Sequence, residues 1–411
     1  MSNLMEKIRD SISPGCIHPG LNVPGLNVPW LNVLVLATAV VLCGCRLRLY
    51  AGETATAEGM VEVTLPGLSV EGEPLGWNSR VVHLLGRDGR LWQFDPDEVI
   101  GFKKTASRFR AYSPSEFRAA LLRELGDDYE VSGTSHYLVA HPRGGRDRWA
   151  ERFEDLYRSF VHFFSVRGFD LHRPMFPLVG IVCKDRGDFN RSANREKGTG
   201  PICRNGPKGA SHKLDLSPFP AGVEGYYNLN SNRITIYDLG GRGDSSDWQR
   251  NASVLIHEAT HQTAFNTGVH GRYSPPPTWV VEGLAMLFEA PGVHDPRNWT
   301  RPADRVNRDR LKAFRRIVAP RHRPEMLSLM VASDELFRVT PAAAYAEAWA
   351  MSFFLAETEP SKYMRYLKLT ASRPPFQNYT AAERTADFTS VFGDDWRMLE
   401  ARFLRFMAGV K

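Results

Sequence analysis

The chain has 411 residues, of which 43% are hydrophobic and 24% are charged, close to the averages of soluble globular proteins. This composition excludes a wholly disordered, collagen-like or polytopic membrane protein, and five cysteines are too few for a disulfide-dense scaffold. The net charge of +6 is uneven, because residues 297–323 contain ten Arg and Lys residues against two Asp residues. That segment carries +8, so the rest of the chain carries −2.

Residues 1–49 resemble a leader that precedes the folded part of the chain. The uncharged run 33–44 is short for a bilayer-spanning helix, which needs about 20 residues, but it suits the apolar region of a signal peptide. It ends in Leu-Cys-Gly-Cys, which resembles a lipobox with Cys45 as the lipidated residue. A buried strand or helix is the alternative. The sequence predicts export to the cell envelope, with membrane attachment through a lipid anchor or an uncleaved N-terminal segment.

Residues 50–130 predict a small β-rich module followed by a helix. Apolar or alternating segments indicate short strands, and Arg-Asp-Gly-Arg at 87–90 predicts a hairpin turn. Ser-Pro-Ser-Glu at 113–116 is a capping box with proline at the first helical position, and Gly126 closes the helix. The module could bind a partner or act as an autoinhibitory cap.

Residues 131–411 predict an α+β domain with a mixed sheet up to about residue 290 and a mainly helical part at 291–411. Periodicity and turn residues predict its early elements in this order: a strand at 137–141, a helix at 148–165, a strand at 176–183, a Gly- and Lys-rich loop from about 185 to 222, and a strand at 233–237. Cys183 and Cys203 bracket that loop, and either a disulfide or two free thiols would fit an exported protein.

The strongest chemical signal is the sequence His257-Glu258-Ala-Thr-His261. Apolar residues flank it and Gly268 follows, which predicts a helix with both histidines one turn apart on one face. Two imidazole nitrogens could then bind a single Zn²⁺ ion, and Glu258 could act as general base on a water that the metal acidifies. The alternative is two ordinary helix histidines beside an ordinary glutamate.

A catalytic zinc site needs a third protein ligand, and Glu282 is the candidate. It lies 21 residues after the motif in an otherwise apolar run, on a helix expected to begin with Thr278 as N-cap after three prolines. A buried carboxylate is costly unless it is paired or binds a metal, although Glu282 could also be a surface residue. Glu289, two turns further on, could accept a hydrogen bond from a ligand histidine or be solvated.

These two segments, HEATH at 257–261 and WVVEGLA at 279–285, resemble the gluzincin zinc peptidases of the peptidase MA type. The chain also resembles an uncharacterised bacterial envelope family, domain of unknown function 1570. The resemblance implies a zincin-like fold and one Zn²⁺ per chain bound by His257, His261 and Glu282, with Glu258 as base. It also implies that the strand at 233–237 lies at the edge of the site, where an extended peptide could add as a further strand.

The chain departs from the gluzincin pattern at two places. Many gluzincins have an aspartate four residues after the ligand glutamate, and Met286 stands there in this chain. The exopeptidase segment Gly-x-Met-Glu-Asn is also absent, so an endopeptidase is favoured over an aminopeptidase. Tyr345, on a later helix, could stabilise the oxyanion, or it could be a core aromatic residue.

The sequence therefore predicts an exported zinc metallopeptidase that acts on a peptide or protein substrate. The alternative is a catalytically inactive envelope binding or scaffold protein, either zinc-bound or free of metal. The basic segment 297–323 could bind an anionic surface or be a solvated helix face. No nucleic-acid motif accompanies it, so no nucleic-acid partner is expected.

Overall fold

The computed structural model describes residues 59–144, 149–198, 223–238 and 245–411, without the side chains of 197–198 and 245–250. The described chain divides into two compact units, residues 59–111 and the described residues from 112 onward. Mixed α+β architecture and a small N-terminal β module, both predicted from the sequence, are confirmed.

The first unit is a five-stranded antiparallel sheet with strand order β4-β3-β2-β1-β5. Its strands are β1 (Met60–Leu65), β2 (Leu68–Trp77), β3 (Val82–Gly86), β4 (Leu91–Phe94) and β5 (Gly101–Ala106). The predicted turn joins β3 to β4, with Gly89 at a φ of 80° that favours glycine. Alternate apolar side chains of these strands form one core cluster.

The second unit is built on a mixed sheet with strand order β6-β7-β8-β10-β9. Its strands are β6 (Tyr129–Gly133), β7 (Tyr137–Pro142), β8 (Leu178–Cys183), β9 (Gly225–Asn228) and β10 (Arg233–Tyr237). The three central strands are parallel, and β6 and β9 pair antiparallel at the two sides. All six residues of β8 are buried, because helices cover both faces of the sheet.

Helices α1 (Pro114–Leu125) and α3 (Arg186–Gly198) pack on one face of this sheet, and α2 (Trp149–Ser165) and α4 (Ser245–Asn266) pack on the other. The capping box at Ser113 and the closing Gly126 of α1 are as predicted. The division between the units falls at 111/112 and not at 130/131, because Phe117 and Leu121 of α1 pack in the core of the second sheet.

The predicted loop from 185 to 222 is wrong for its first part, which forms α3. Asp185 begins this helix, since its Oδ1 accepts a hydrogen bond from the Asp188 N–H at 2.9 Å. Phe189 and Ala193 supply a buried apolar face that the many charged neighbours obscure in the sequence. Cys183 is buried and forms no disulfide within the described residues, and Cys203 lies outside them.

The remainder of the second unit is helical and shares one large apolar core with α2 and α4. Its helices are α5 (Thr278–Phe288), α6 (Pro291–His294), α7 (Arg308–Ala313), α8 (Met326–Ala332), α9 (Glu335–Val339), α10 (Pro341–Thr358), α11 (Pro360–Ala371), α12 (Ala381–Phe392) and α13 (Trp396–Gly409). Most residues of α5 and α10 are buried, and the two helices pack directly against each other.

Candidate metal centre

Helix α4 places both motif histidines on one face, as the spacing predicts. The Nε2 atoms of His257 and His261 lie 3.0 Å apart, and the two rings are nearly perpendicular. The next residue along, Gln262, fixes the helix to the sheet by donating from Nε2 to the carbonyl oxygens of Val179 and Asn232 at 3.0 and 2.8 Å. The imidazoles are thus held by a helix that is itself bonded to β8 and the start of β10.

Helix α5 brings Glu282 to the same point. Its Oε2 lies 3.3 Å from Nε2 of His257, and its Oε1 lies 3.7 Å from Nε2 of His261. Thr278 is the first residue of α5 and not its N-cap, which is Pro277. Pro277 has no side-chain acceptor for the first turn, and Oδ1 of Asp334 accepts from the Thr278 N–H at 2.9 Å instead.

The three side chains fit the coordination of one metal ion. Ligand atoms about 2.0–2.1 Å from a tetrahedral zinc ion lie about 3.3–3.4 Å from one another. The two histidine Nε2 atoms lie 3.0 Å apart, and each lies 3.3 or 3.7 Å from a different carboxylate oxygen of Glu282, values that bracket that separation. Within the described residues they are the one group of three potential ligands found this close together.

Glycine at 283 lets α5 approach α10 closely. A Cβ atom there would lie 2.2 Å from Oγ of Ser352 and 2.5 Å from the carbonyl oxygen of Ala348. Both atoms belong to α10, so position 283 has no space for any side chain. Glu282 is therefore positioned by direct packing of one helix backbone on another.

Glu289 contacts one of the two motif histidines. Its Oε1 lies 2.9 Å from Nδ1 of His257, so the imidazole can donate there and keep the Nε2 lone pair for a metal. The solvated alternative for Glu289 is wrong, since its side chain is only 10% exposed. Met286, four residues after Glu282, is buried and apolar, so Glu289 and not residue 286 makes this contact.

Glu258 lies beside the three candidate ligands and is held by the neighbouring strand. The Tyr227 N–H of β9 donates to its Oε2 at 2.7 Å. Burial raises the pKa of Glu258 to about 7; His257 opposes this rise and the charge of Glu282 adds to it. A carboxylate with a pKa near neutrality is suited to take up and release a proton.

The strand beside the site is β9 and not the predicted strand at 233–237. That strand, β10, lies between β8 and β9, with Ile234 paired to Tyr227. The sequence predicts no strand directly before 233, although the Asn- and Ser-rich residues 228–232 are typical of a turn. Asn232 makes this return with a φ of 60°, and its side chain bonds to Tyr227 and Asn266.

The charges of the site favour the ligand forms of two of its residues. Burial would raise the pKa of Glu282, but His261 and His257 hold it at about 2, so the carboxylate is ionised. Burial lowers the pKa of His261 to about 4, which leaves this imidazole neutral. Burial also acts to lower the pKa of His257, but hydrogen bonds to Glu282 and Glu289 outweigh it and raise that pKa.

Tyr345 of α10 lies within electrostatic range of the site. Burial, followed by the charge of Glu282 and more weakly that of Glu258, raises the pKa of Tyr345 to about 12. Its ring packs edge-on against Phe337 at 5.3 Å between centroids. The hydroxyl therefore keeps its proton at neutral pH and can donate a hydrogen bond.

Two residues of the site were not identified from the sequence. Asn307 and Arg310 belong to the basic segment and both donate hydrogen bonds to Glu289. The one local signal was the helix start at Asn307, whose Oδ1 accepts from the Arg310 N–H. That signal predicts a helix start but does not predict that its residues contact Glu289.

The predicted lipidation site, Cys45, lies outside the described residues. Among the helices that are described, none combines the length and the apolar character needed to cross a bilayer.

Comparison with known proteins gives a family without an assigned function. No curated protein matches the chain. Residues 251–377, which contain all three candidate ligands, are similar to the family described as Protein of unknown function (DUF1570), and the predicted resemblance to this family is confirmed over that range.

Proposed function

We propose that this protein is a zinc-dependent metallopeptidase of the gluzincin type. The observation that carries the proposal is the convergence of His257, His261 and Glu282 on one point, with Glu258 beside them. A zinc ion bound there would polarise the scissile carbonyl group and acidify a water molecule. A zincin-like fold is part of the same proposal, supported by the helix pair α4 and α5 and by the mixed sheet next to them.

Residues of this chain would carry out proton transfer, stabilise the oxyanion and bind the peptide. Glu258 takes a proton from the attacking water and passes it to the leaving amine, and the Tyr227 N–H keeps its carboxylate in place. Tyr345 donates to the oxyanion that develops on the carbonyl oxygen. An extended peptide binds along the outer edge of β9, which brings its backbone next to Glu258. The absence of an exopeptidase-type Gly-x-Met-Glu-Asn segment favours endopeptidase action.

The proposal is tested first by metal content. Elemental analysis of the purified protein is expected to give one zinc ion per chain, lost in both His261→Ala and Glu282→Ala. Loss in the histidine variant alone would mean that Glu282 is not a ligand. If the protein contains no zinc after purification with zinc supplied, the enzyme proposal is overturned and a metal-free binding protein is favoured.

The second test separates catalysis from metal binding. Glu258→Gln is expected to keep its zinc and to lower peptide hydrolysis by about 10²–10⁴-fold, because it removes the general base. A mixed peptide library read by mass spectrometry provides the substrate without assuming its sequence. If wild type binds zinc but cleaves no better than Glu258→Gln, the protein is a zinc-bound scaffold and not a peptidase.

We also propose that the peptidase acts in the cell envelope and is attached through lipid at Cys45. The support is the apolar run 33–44 and the lipobox-like residues that follow it. Incorporation of labelled fatty acid into the wild-type chain and its loss in Cys45→Ala would support this attachment. Equal labelling of both chains, or of neither, would contradict it.

A further inference from the structure

The first turn of α7, within the basic segment 297–323, lies against the carboxylate of Glu289. Nδ2 of Asn307 donates to Oε2 at 2.6 Å, and Nε and Nη2 of Arg310 donate to Oε2 and Oε1 at 3.3 and 3.1 Å. Oε1 also contacts Nδ1 of His257 at 2.9 Å. We infer that Asn307 and Arg310 form an outer clamp that fixes Glu289 and, through it, the metal-binding orientation of His257.

The local structure around Asn307 is organised for this contact. Its Oδ1 caps α7 by accepting from the Arg310 N–H at 3.2 Å, and its Nδ2 also lies 3.1 Å from the carbonyl oxygen of Met286. One side chain therefore sets the position of Arg310 and joins the start of α7 to the last turn of α5. Because both members of the clamp lie in one turn, they reach Glu289 together.

The charge at this point requires a cation. Glu289 follows the last residue of α5, where the helix dipole already places partial negative charge, and its carboxylate is largely buried. Arg310 supplies a forked, permanently charged donor to both of its oxygens. Other arginines of the same segment do different work: Arg308 and Arg315 donate to backbone oxygens of Lys411 and Val410.

A residue that orients a metal ligand from outside typically changes metal affinity by about 10–100-fold when it is removed. The clamp acts one contact further out, through Glu289, so Asn307 and Arg310 are positioning residues. This inference rests on the proposed metal site. It goes beyond that proposal by giving two residues of the basic segment a role in positioning Glu289.

The test is a double-mutant cycle on zinc affinity, measured on the full chain by competition with a chromogenic chelator. Arg310→Met is expected to raise the zinc Kd by about 10-fold, and Glu289→Gln by about 10–100-fold. The double variant should bind no more weakly than Glu289→Gln alone, because Arg310 acts through that carboxylate. Arg310→Lys keeps the charge without the fork and should fall between wild type and Arg310→Met.

Arg308→Met is the matched control, since Arg308 lies in the same turn and does not contact Glu289. It should leave the zinc Kd and the visible spectrum of the Co²⁺-substituted protein unchanged, whereas Arg310→Met should alter that spectrum. Equal effects of Arg308→Met and Arg310→Met, or additive effects in the double variant, would overturn the clamp while leaving the metal site intact. Absence of zinc binding in wild type would overturn both the clamp and the proposed function.

Discussion

At the scale of single residues, Tyr345 is the side chain whose proposed role is furthest from metal binding. It belongs to neither the ligands nor their hydrogen-bonded partners, and its hydroxyl is protonated at neutral pH because burial and the nearby carboxylates raise its pKa to about 12. A neutral hydroxyl close to a developing negative charge gains strength as a donor in the transition state.

Tyr345→Phe is therefore expected to lower kcat by about 10²–10³-fold while changing KM little, because one oxyanion donor is removed and the ring is kept. Zinc content should stay at the wild-type value, as should the contact of the ring with Phe337. Steady-state kinetics on a cleaved library peptide measure the effect. An unchanged kcat would make Tyr345 a core aromatic residue and nothing more.

Prediction from the sequence succeeded where one element carries the whole signal. His257 and His261 are one turn apart on one helix, so their spacing alone places both on one face, with Glu258 next to the first. Glu282 needed a second helix, and only its unusual position in an apolar run marked it. Arg310 could not be found this way, because its contact with Glu289 depends on how a separate short helix folds back.

At the scale of elements, the packing of α5 on α10 sets where Glu282 stands. Gly283 is in contact with Ala348 and Ser352, and the two helices have no room for a further methyl group at this crossing. A displacement of α5 here would move the carboxylates of Glu282 and Glu289 together, because Glu282 lies in this helix and Glu289 directly follows it.

Gly283→Ala is expected to lower the free energy of unfolding by about 1–3 kcal/mol, the usual cost of inserting a methyl group into a packed core. Zinc affinity should fall as well, because α5 must move away from α10. Gly409→Ala is the matched control, since a Cβ atom there meets no other atom within 4 Å. Chemical denaturation and chelator competition give the two readouts, and equal stability of both variants would contradict the packing argument.

Helix α2 is attached to the β6–β7 turn by a buried carboxylate. Glu154 accepts from Oγ1 of Thr134 at 2.7 Å, and from the N–H and Nδ1 of His136 at 3.1 and 2.9 Å. Burial acts to raise the pKa of Glu154, but these hydrogen bonds outweigh it and lower the pKa below 4.5. The ionised form is therefore the one that stabilises the folded state.

Glu154→Gln should lower the free energy of unfolding at pH 7 by about 1–3 kcal/mol, because an amide cannot accept all these hydrogen bonds. A carboxyl group whose pKa is lowered on folding stabilises the protein above its unfolded pKa, and this contribution disappears as the pH falls through the folded pKa. The difference from wild type should therefore narrow as the pH falls below about 4.5. Asp155→Asn, at an exposed neighbour, serves as the control and should change stability little at either pH.

Elements were predicted best where caps and periodicity agree. Residues 113–126 have a capping box, a proline at the first turn and a closing glycine, and the structure follows them closely. Helix α3 was missed because six of its thirteen residues are charged and only Phe189 and Ala193 give it a buried apolar face. Strand β9 was missed because four residues and a four-residue return are too short for a period to emerge.

At the scale of the whole molecule, the candidate site lies entirely within the second unit. All parts of the proposed site belong to residues after 225: the three candidate ligands, Glu258, Glu289 and the outer clamp. The apolar clusters that support them are formed from residues 112 onward. Metal binding should therefore require nothing from residues 59–111.

A fragment of residues 112–411 is expected to fold and to bind zinc with the affinity of the full chain. A second fragment, 127–411, keeps every strand of the second sheet but lacks α1 and is expected to be unstable. It loses Phe117 and Leu121, both fully buried, and the Glu124 carboxylate that contacts the buried guanidinium of Arg233 at 2.8 Å. Circular dichroism and chelator competition compare the two fragments. If both fragments fold equally well, α1 is dispensable and the second unit begins after it. If neither fragment binds zinc while the full chain does, residues before 112 contribute to the site.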